Sequence, residues 1–143
     1  MVGAGKTLKV ADIVEINRRM IAHFGGIFFE GDDNLANRGS LEYVLAEIYG
    51  SLYGQELYPD IFQKAGLIAW RIIVGHIFHD GNKRTAMESC RLFLELNGYI
   101  LKMDMEVVSV ALKIATHDIE FDNFVDWLRG RATGVAKGGE AYK

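Results

Sequence analysis

Ile13, Ile16, Met20, Ile21 and Phe24 recur at helical spacing. One face of an α-helix repeats at that interval, so the pattern predicts a helix over Val10–Phe24 that Gly25 and Gly26 stop. Residues 25–39 break the periodicity with glycines, asparagines and acids around Ile27–Phe28–Phe29, a long connection of the kind that often carries function. Ser40 is suited to cap a helix from Leu41 to Tyr49. Pro59 stands at or just before the first turn of a helix over Asp60–Ile77. That segment is apolar on nearly every side, through Ile61, Phe62, Leu67, Ile68, Trp70, Ile72, Ile73 and Val74, which places it at the centre of the fold.

A further helix is predicted over Asn82–Asn97, with Gly98 at its C-terminal turn. Ala86, Met87, Cys90, Phe93 and Leu94 form its apolar face, and Glu88, Arg91 and Glu95 lie opposite at ion-pair spacing. Met105–Ala115 and Phe121–Leu128 complete the helices, while Tyr99–Met103 reads as a short extended piece with no partner strand in view. The class is all-α: a compact single-domain bundle of about six helices over residues 8–129. Residues 1–7 and 130–143 are expected to be flexible termini.

Composition narrows the setting. A chain of 143 residues, half hydrophobic and a quarter charged, suits one globular domain. A net charge of −3 gives no global electrostatic basis for nucleic-acid binding. Cys90 is the single cysteine, which excludes an internal disulfide framework and fits a buried core thiol in a reducing compartment. Gln63, Lys64 and Arg71 interrupt the most apolar region, and no secretory signal pattern is visible. The expectation is a cytoplasmic protein with no membrane association.

Chemistry concentrates where the two strongest helices meet, at His76–Ile77–Phe78–His79–Asp80–Gly81–Asn82–Lys83–Arg84. A helix N-terminus offers free N–H groups and partial positive charge, which together attract anions. Lys83 and Arg84 crowd that end, where cations are unfavourable unless an anion such as phosphate sits among them. Gly81 permits the turn and a close ligand approach. Asp80 is placed to cap the helix or to bind a hard cation bridging phosphate oxygens. Histidine side chains titrate near neutral pH, so His76 is a candidate general base. Each of these features alone also fits an ordinary core, cap or surface role.

These residues resemble the signature of the Doc branch of the Fic/Doc family, with seven identities in nine positions, continued by Thr85–Ala86. Gly39–Ser40–Leu41–Glu42 matches the loop and helix start upstream. The resemblance implies that His76 deprotonates a hydroxyl of a target protein, Phe78 anchors the loop and Asp80 holds Mg²⁺. It also implies an anion pocket from Gly81, Asn82 and Lys83, nucleotide phosphates on Arg84, and a catalytic share for Lys83 and Arg84. The loop near residues 27–38 corresponds to a flap that clamps the target by strand-like pairing. Two departures matter. The adenylylating branch has a glycine at the position of Lys83 and a second arginine at that of Met87. Their replacement points to a different ATP pose and to transfer of the γ-phosphate onto Ser or Thr. AMP transfer is the alternative. The resemblance further implies a toxin acting on translation elongation factor Tu, countered by a separate antitoxin. The internal inhibitory motif is incomplete here: Thr116 and Glu120 are followed by Phe121.

Three other readings compete. Val2–Gly3–Ala4–Gly5–Lys6–Thr7 is similar to the end of a P-loop but lacks the upstream glycine and strand. His79–Asp80 and His117–Asp118, with His23 and Asp122, raise a helical metal-dependent phosphohydrolase. The third is a non-catalytic interaction module that keeps the pocket.

Overall fold

The structure is a computed structural model and describes residues 6–135. Its helices are α1 (Val10–Phe24), α2 (Arg38–Glu47), α3 (Ile61–Val74), α4 (Asn82–Leu96), α5 (Met105–Ala115) and α6 (Phe121–Arg131). Two short antiparallel pairs accompany them: β1 (Ser51–Leu52) with β2 (Gln55–Glu56), and β3 (Tyr99–Leu101) with β4 (Ala132–Gly134). The all-α class holds.

Local chemistry explains the boundaries. Asp60 and Gln63 form a reciprocal capping box at the start of α3: Gln63 N donates to Asp60 Oδ1 at 2.7 Å and Asp60 N to Gln63 Oε1 at 3.2 Å. α2 begins before Ser40, because the Asn37 side chain is the cap and accepts from Ser40 N at 3.1 Å. α3 ends at Val74 rather than at Ile77. Gly75 N still donates to Arg71 O at 2.8 Å, and the chain then turns through His76 at φ 47°.

The extended piece after α4 does have a partner. β4 follows directly on α6 and pairs Tyr99 with Gly134 and Leu101 with Ala132. Lys6 also joins the fold through Asn97, whose side chain bonds both its N–H and its carbonyl. The remaining residues of the expected termini, 1–5 and 136–143, lie outside the described residues, as does most of the P-loop-like segment.

α3 is the central element, as its all-round hydrophobicity predicts. Ala65, Ile68, Ala69 and Ile72 are fully buried between α4 and the other helices. Gly66 lets α6 close onto it, since a Cβ there would come within 3.1 Å of Val125 Cγ2. Lys64 is buried too, with Nζ on Glu56 Oε1 at 3.0 Å and on the Tyr58 carbonyl, which pins the β1–β2 hairpin to the helix. Met87, Cys90, Phe93 and Leu94 of α4 face the core, and Arg91 bridges Glu88 and Glu95 on the outside. α1 packs on α4, so the loops after α1 and before α4 meet.

Candidate active site

The junction of α3 and α4 is held from three directions. Phe78 is buried, and its backbone is clamped by Asn82, which accepts from Phe78 N at 2.9 Å and donates to Phe78 O at 2.8 Å. The end of the 25–37 loop runs antiparallel to it: Leu35 bridges Phe78, Ala36 N donates to Ile77 O and His79 N to Asn34 O. From α1, the Asn17 amide donates to the Asp80 carbonyl and to Thr85 Oγ1, each at 2.9 Å, and accepts from Asn34 Nδ2 at 2.9 Å. Asn17, Asn34 and Thr85 are all fully buried.

Sequence reasoning missed Asn17 and Asn34, and noted Thr85 only as a continuation of the signature. Their one signal was Asn17, a polar residue inside the apolar stripe of α1.

This scaffold brings His76, Asp80, Gly81, Asn82 and Lys83 around one cleft of about 140 Å³, closed by Ile73, His79 and Ala115. A larger groove, about 500 Å³ between α2 and the end of α3, shares none of those five residues. Arg84 is beside the cleft rather than in it, its guanidinium stacked 4.2 Å above the Phe24 ring.

His76 is exposed in a left-handed conformation that non-glycine residues rarely adopt, a form of strain common at functional sites. Its Nδ1 lies 3.3 Å from the Val74 carbonyl. A carbonyl can only accept, so this contact favours the proton on Nδ1 and leaves Nε2 with a free lone pair. Across the cleft α4 starts at Gly81, φ 76°, with no side-chain cap. The N–H groups of its first turn therefore have no intrahelical partner. Among the described residues neither Lys83 nor Arg84 forms an ion pair. Uncompensated N–H groups and two unpaired cations at one helix end are an arrangement that favours an anion.

Asp80 is not the cap of α4. Its Oδ1 accepts from Gly81 N and its Oδ2 from Ile27 N, both at 2.9 Å. Asn82 contributes through its backbone, since its amide is engaged by Phe78. Met87 is only 3% exposed, so no polar group from that position reaches the cleft. Among the described residues no three of His, Cys, Asp and Glu gather around a common point, so the ligand set a phosphohydrolase needs is not brought together.

In the loop after α1, Ile27 and Phe29 are exposed, and Phe29 meets the His79 ring edge-on at 5.1 Å. Arg18 braces the same loop, bonding Glu30 at 2.7 Å and lying over the Phe28 ring.

Comparison with known proteins shows which family the chain resembles. The chain is 29% identical over 126 residues to Toxin Doc of Mycolicibacterium smegmatis, covering 86% of this chain and 97% of that protein. It is 26% identical over 118 residues to Protein kinase doc of Escherichia phage P1, covering 82% and 89% respectively. The model described as the Fic/DOC family matches residues 7–94, more than half of the sequence and the whole cleft apart from Ala115. By that match the chain belongs to the Fic/DOC family.

Proposed function

We propose that the protein is a Doc-type toxin that transfers the γ-phosphate of ATP, held with Mg²⁺, to a Ser or Thr hydroxyl of a target protein. Translation elongation factor Tu is the target implied by resemblance. The observation that carries this reading is the pairing across the cleft: a histidine with a free Nε2 faces an uncapped helix start bearing Lys83 and Arg84. The names of the two relatives point the same way.

In this reading His76 Nε2 takes the proton of the target hydroxyl as its oxygen bonds to the γ-phosphorus. The bond from that phosphorus to the β–γ bridging oxygen breaks, and ADP leaves. The first-turn N–H groups and Lys83 hold phosphoryl oxygens as charge builds on them. Arg84 swings from Phe24 to the nucleotide phosphates. Phe78, Asn82 and the Asn17–Asn34–Thr85 network keep these groups in register.

The residues fit Mg²⁺. Asp80 offers one hard carboxylate at the cleft, and Mg²⁺ is commonly bound by one or two carboxylates plus substrate phosphates and water. Bound there, the ion would neutralise phosphate charge.

Lys83 and the buried Met87 favour phosphate over AMP transfer. The space next to the phosphate site holds a lysine side chain, and no second arginine is available at position 87. A separate antitoxin is favoured because Thr116–Glu120 forms the turn between α5 and α6, with Thr116 Oγ1 bonded to Leu112 O and Asp118 Oδ2, and not an inhibitory helix. ATP labelled separately at the γ- and α-phosphates tests the reaction on purified elongation factor Tu. Label from the γ-phosphate alone is expected; label from the α-phosphate would establish AMP transfer instead.

A further inference from the structure

The Asp80 carboxylate lines the cleft and also holds the start of the 25–37 loop. Its Oδ2 accepts from Ile27 N at 2.9 Å, while Oδ1 accepts from Gly81 N at the same distance. The approach depends on a missing side chain. A Cβ on Gly26 would stand 2.8 Å from Asp80 Oδ2 and 3.3 Å from its Cγ. Gly26 also has φ 131°, so the backbone there is shaped to present the next N–H to the carboxylate. Gly25 shares the left-handed φ, at 96°, but a Cβ there would meet nothing within 4 Å.

We infer that the Ile27 N–H, delivered by Gly26, orients Asp80 as a metal ligand, so that metal binding and closure of the flap reinforce each other. The inference rests on the reading of Asp80 as the Mg²⁺ ligand. An ionised carboxylate has about four lone-pair sites, and two backbone donors leave about two for a cation. Two fixed donors also stop the carboxylate from rotating, which pre-aims those sites, and partners of this kind are typically worth 10–100-fold in metal affinity. The coupling must be reciprocal: if the flap bond tightens metal binding, bound metal tightens the flap. The same flap carries the exposed Ile27 and Phe29, so a target held there would raise the enzyme's affinity for its metal.

The test uses the full chain with ADP and Mn²⁺ as a reporting metal, with free Mn²⁺ measured by paramagnetic resonance. Gly26→Ala is expected to weaken Mn²⁺ binding by about tenfold or more. Gly25→Ala, which also places a side chain at a positive φ but without the clash, is expected to stay close to wild type. In the wild-type protein, Mg²⁺ with ADP is expected to slow hydrogen exchange at the Ile27 amide. Equal Mn²⁺ affinity in Gly26→Ala and Gly25→Ala, or Ile27 exchange that is unchanged or faster with metal, would overturn the coupling. Should Gly26→Ala not fold, the wild-type exchange measurement decides. Asp80→Asn separates the two levels: if it binds Mn²⁺ as wild type does, Asp80 is not the ligand, and the metal reading falls together with the coupling.

Discussion

Asn17 and Thr85, 68 residues apart, share a buried hydrogen bond of 2.9 Å that ties the middle of α1 to the first turn of α4. Through its other bonds, to the Asp80 carbonyl and to Asn34, Asn17 joins the turn before α4 and the flap. Asn17→Ala would leave buried polar groups on three segments without a partner. Each such group costs roughly 1–3 kcal/mol, so the variant is expected to lose at least that much stability. Urea unfolding measures it, and an unchanged midpoint would mean that the network relaxes at no cost.

Asn82 illustrates a different dependence. Its amide holds both the N–H and the carbonyl of Phe78, which fixes the backbone between His76 and the start of α4. Asn82→Ala is expected to remain folded but to lose transfer activity well beyond its loss of stability. Comparing the rate of label transfer with the thermal midpoint checks this. Proportionate losses would contradict a positioning role.

Phe78 anchors the loop by burial. Phe78→Ala is expected to cost about 3–5 kcal/mol, the usual range for removing a buried aromatic ring. Denaturant unfolding gives the value, and a loss under a tenth of that range would mean that the loop is held by its backbone bonds alone.

Cys90 lies in the core, and burial pushes its thiol far above the usual cysteine range. The thiol is therefore protonated at every working pH and shielded from reagents. Iodoacetamide is expected to label it only under unfolding conditions, as mass spectrometry of native and urea-treated protein would show. Rapid native labelling would contradict the packing of α4.

Asp104 caps α5, with Oδ1 accepting from Glu106 N at 3.1 Å, and pairs with Arg131 of α6 at 2.8 Å. Desolvation acts to raise its pKa, but the Arg131 guanidinium, with the Glu106 N–H and Lys102, outweighs it and holds the carboxyl below its usual value. A carboxyl lowered in the folded state adds stability above its unfolded pKa, which is lost as pH falls through the folded pKa. Asp104→Asn is therefore expected to be less stable at neutral pH and to lose less on acidification than wild type. Thermal midpoints across the acid range decide it; parallel curves would remove Asp104 from the acid response.

Much of this architecture is visible in the sequence for a physical reason. α1 and α5 lie on strongly periodic segments, and the structure places both where the periodicity does. α3 is recognisable as central because it has almost no polar face. Boundaries set by hydrogen bonds were harder to read. Asn37 rather than Ser40 caps α2, and Gly75 ends α3 before His76. The β1–β2 hairpin has two-residue strands and turns through left-handed Tyr53 and Gly54, too short for an alternating pattern to register. β4 has no hydrophobic pattern of its own, and it exists because α6 delivers it beside β3.

At the site, His76, Asp80, Gly81, Asn82 and Lys83 were singled out by their chemistry and Phe78 by resemblance, but the other supports were not. Asp80 was read as a helix cap or a hard-cation ligand, and the cap reading fails. Its carboxylate instead reaches back to the flap, a contact that depends on Gly26 more than 50 positions away in the chain. Asn17 and Asn34 act through each other, and no single-residue pattern marks a pair made by folding.

The proposed function turns on His76 activating a target hydroxyl for attack on the γ-phosphate. Its most direct measurement is the intact mass of the modified protein after incubation with ATP, Mg²⁺ and either wild-type enzyme or His76→Ala. A mass increase of one phosphoryl group is expected with wild type and none with His76→Ala. An increase matching AMP, or an equal phosphoryl gain with His76→Ala, would contradict it.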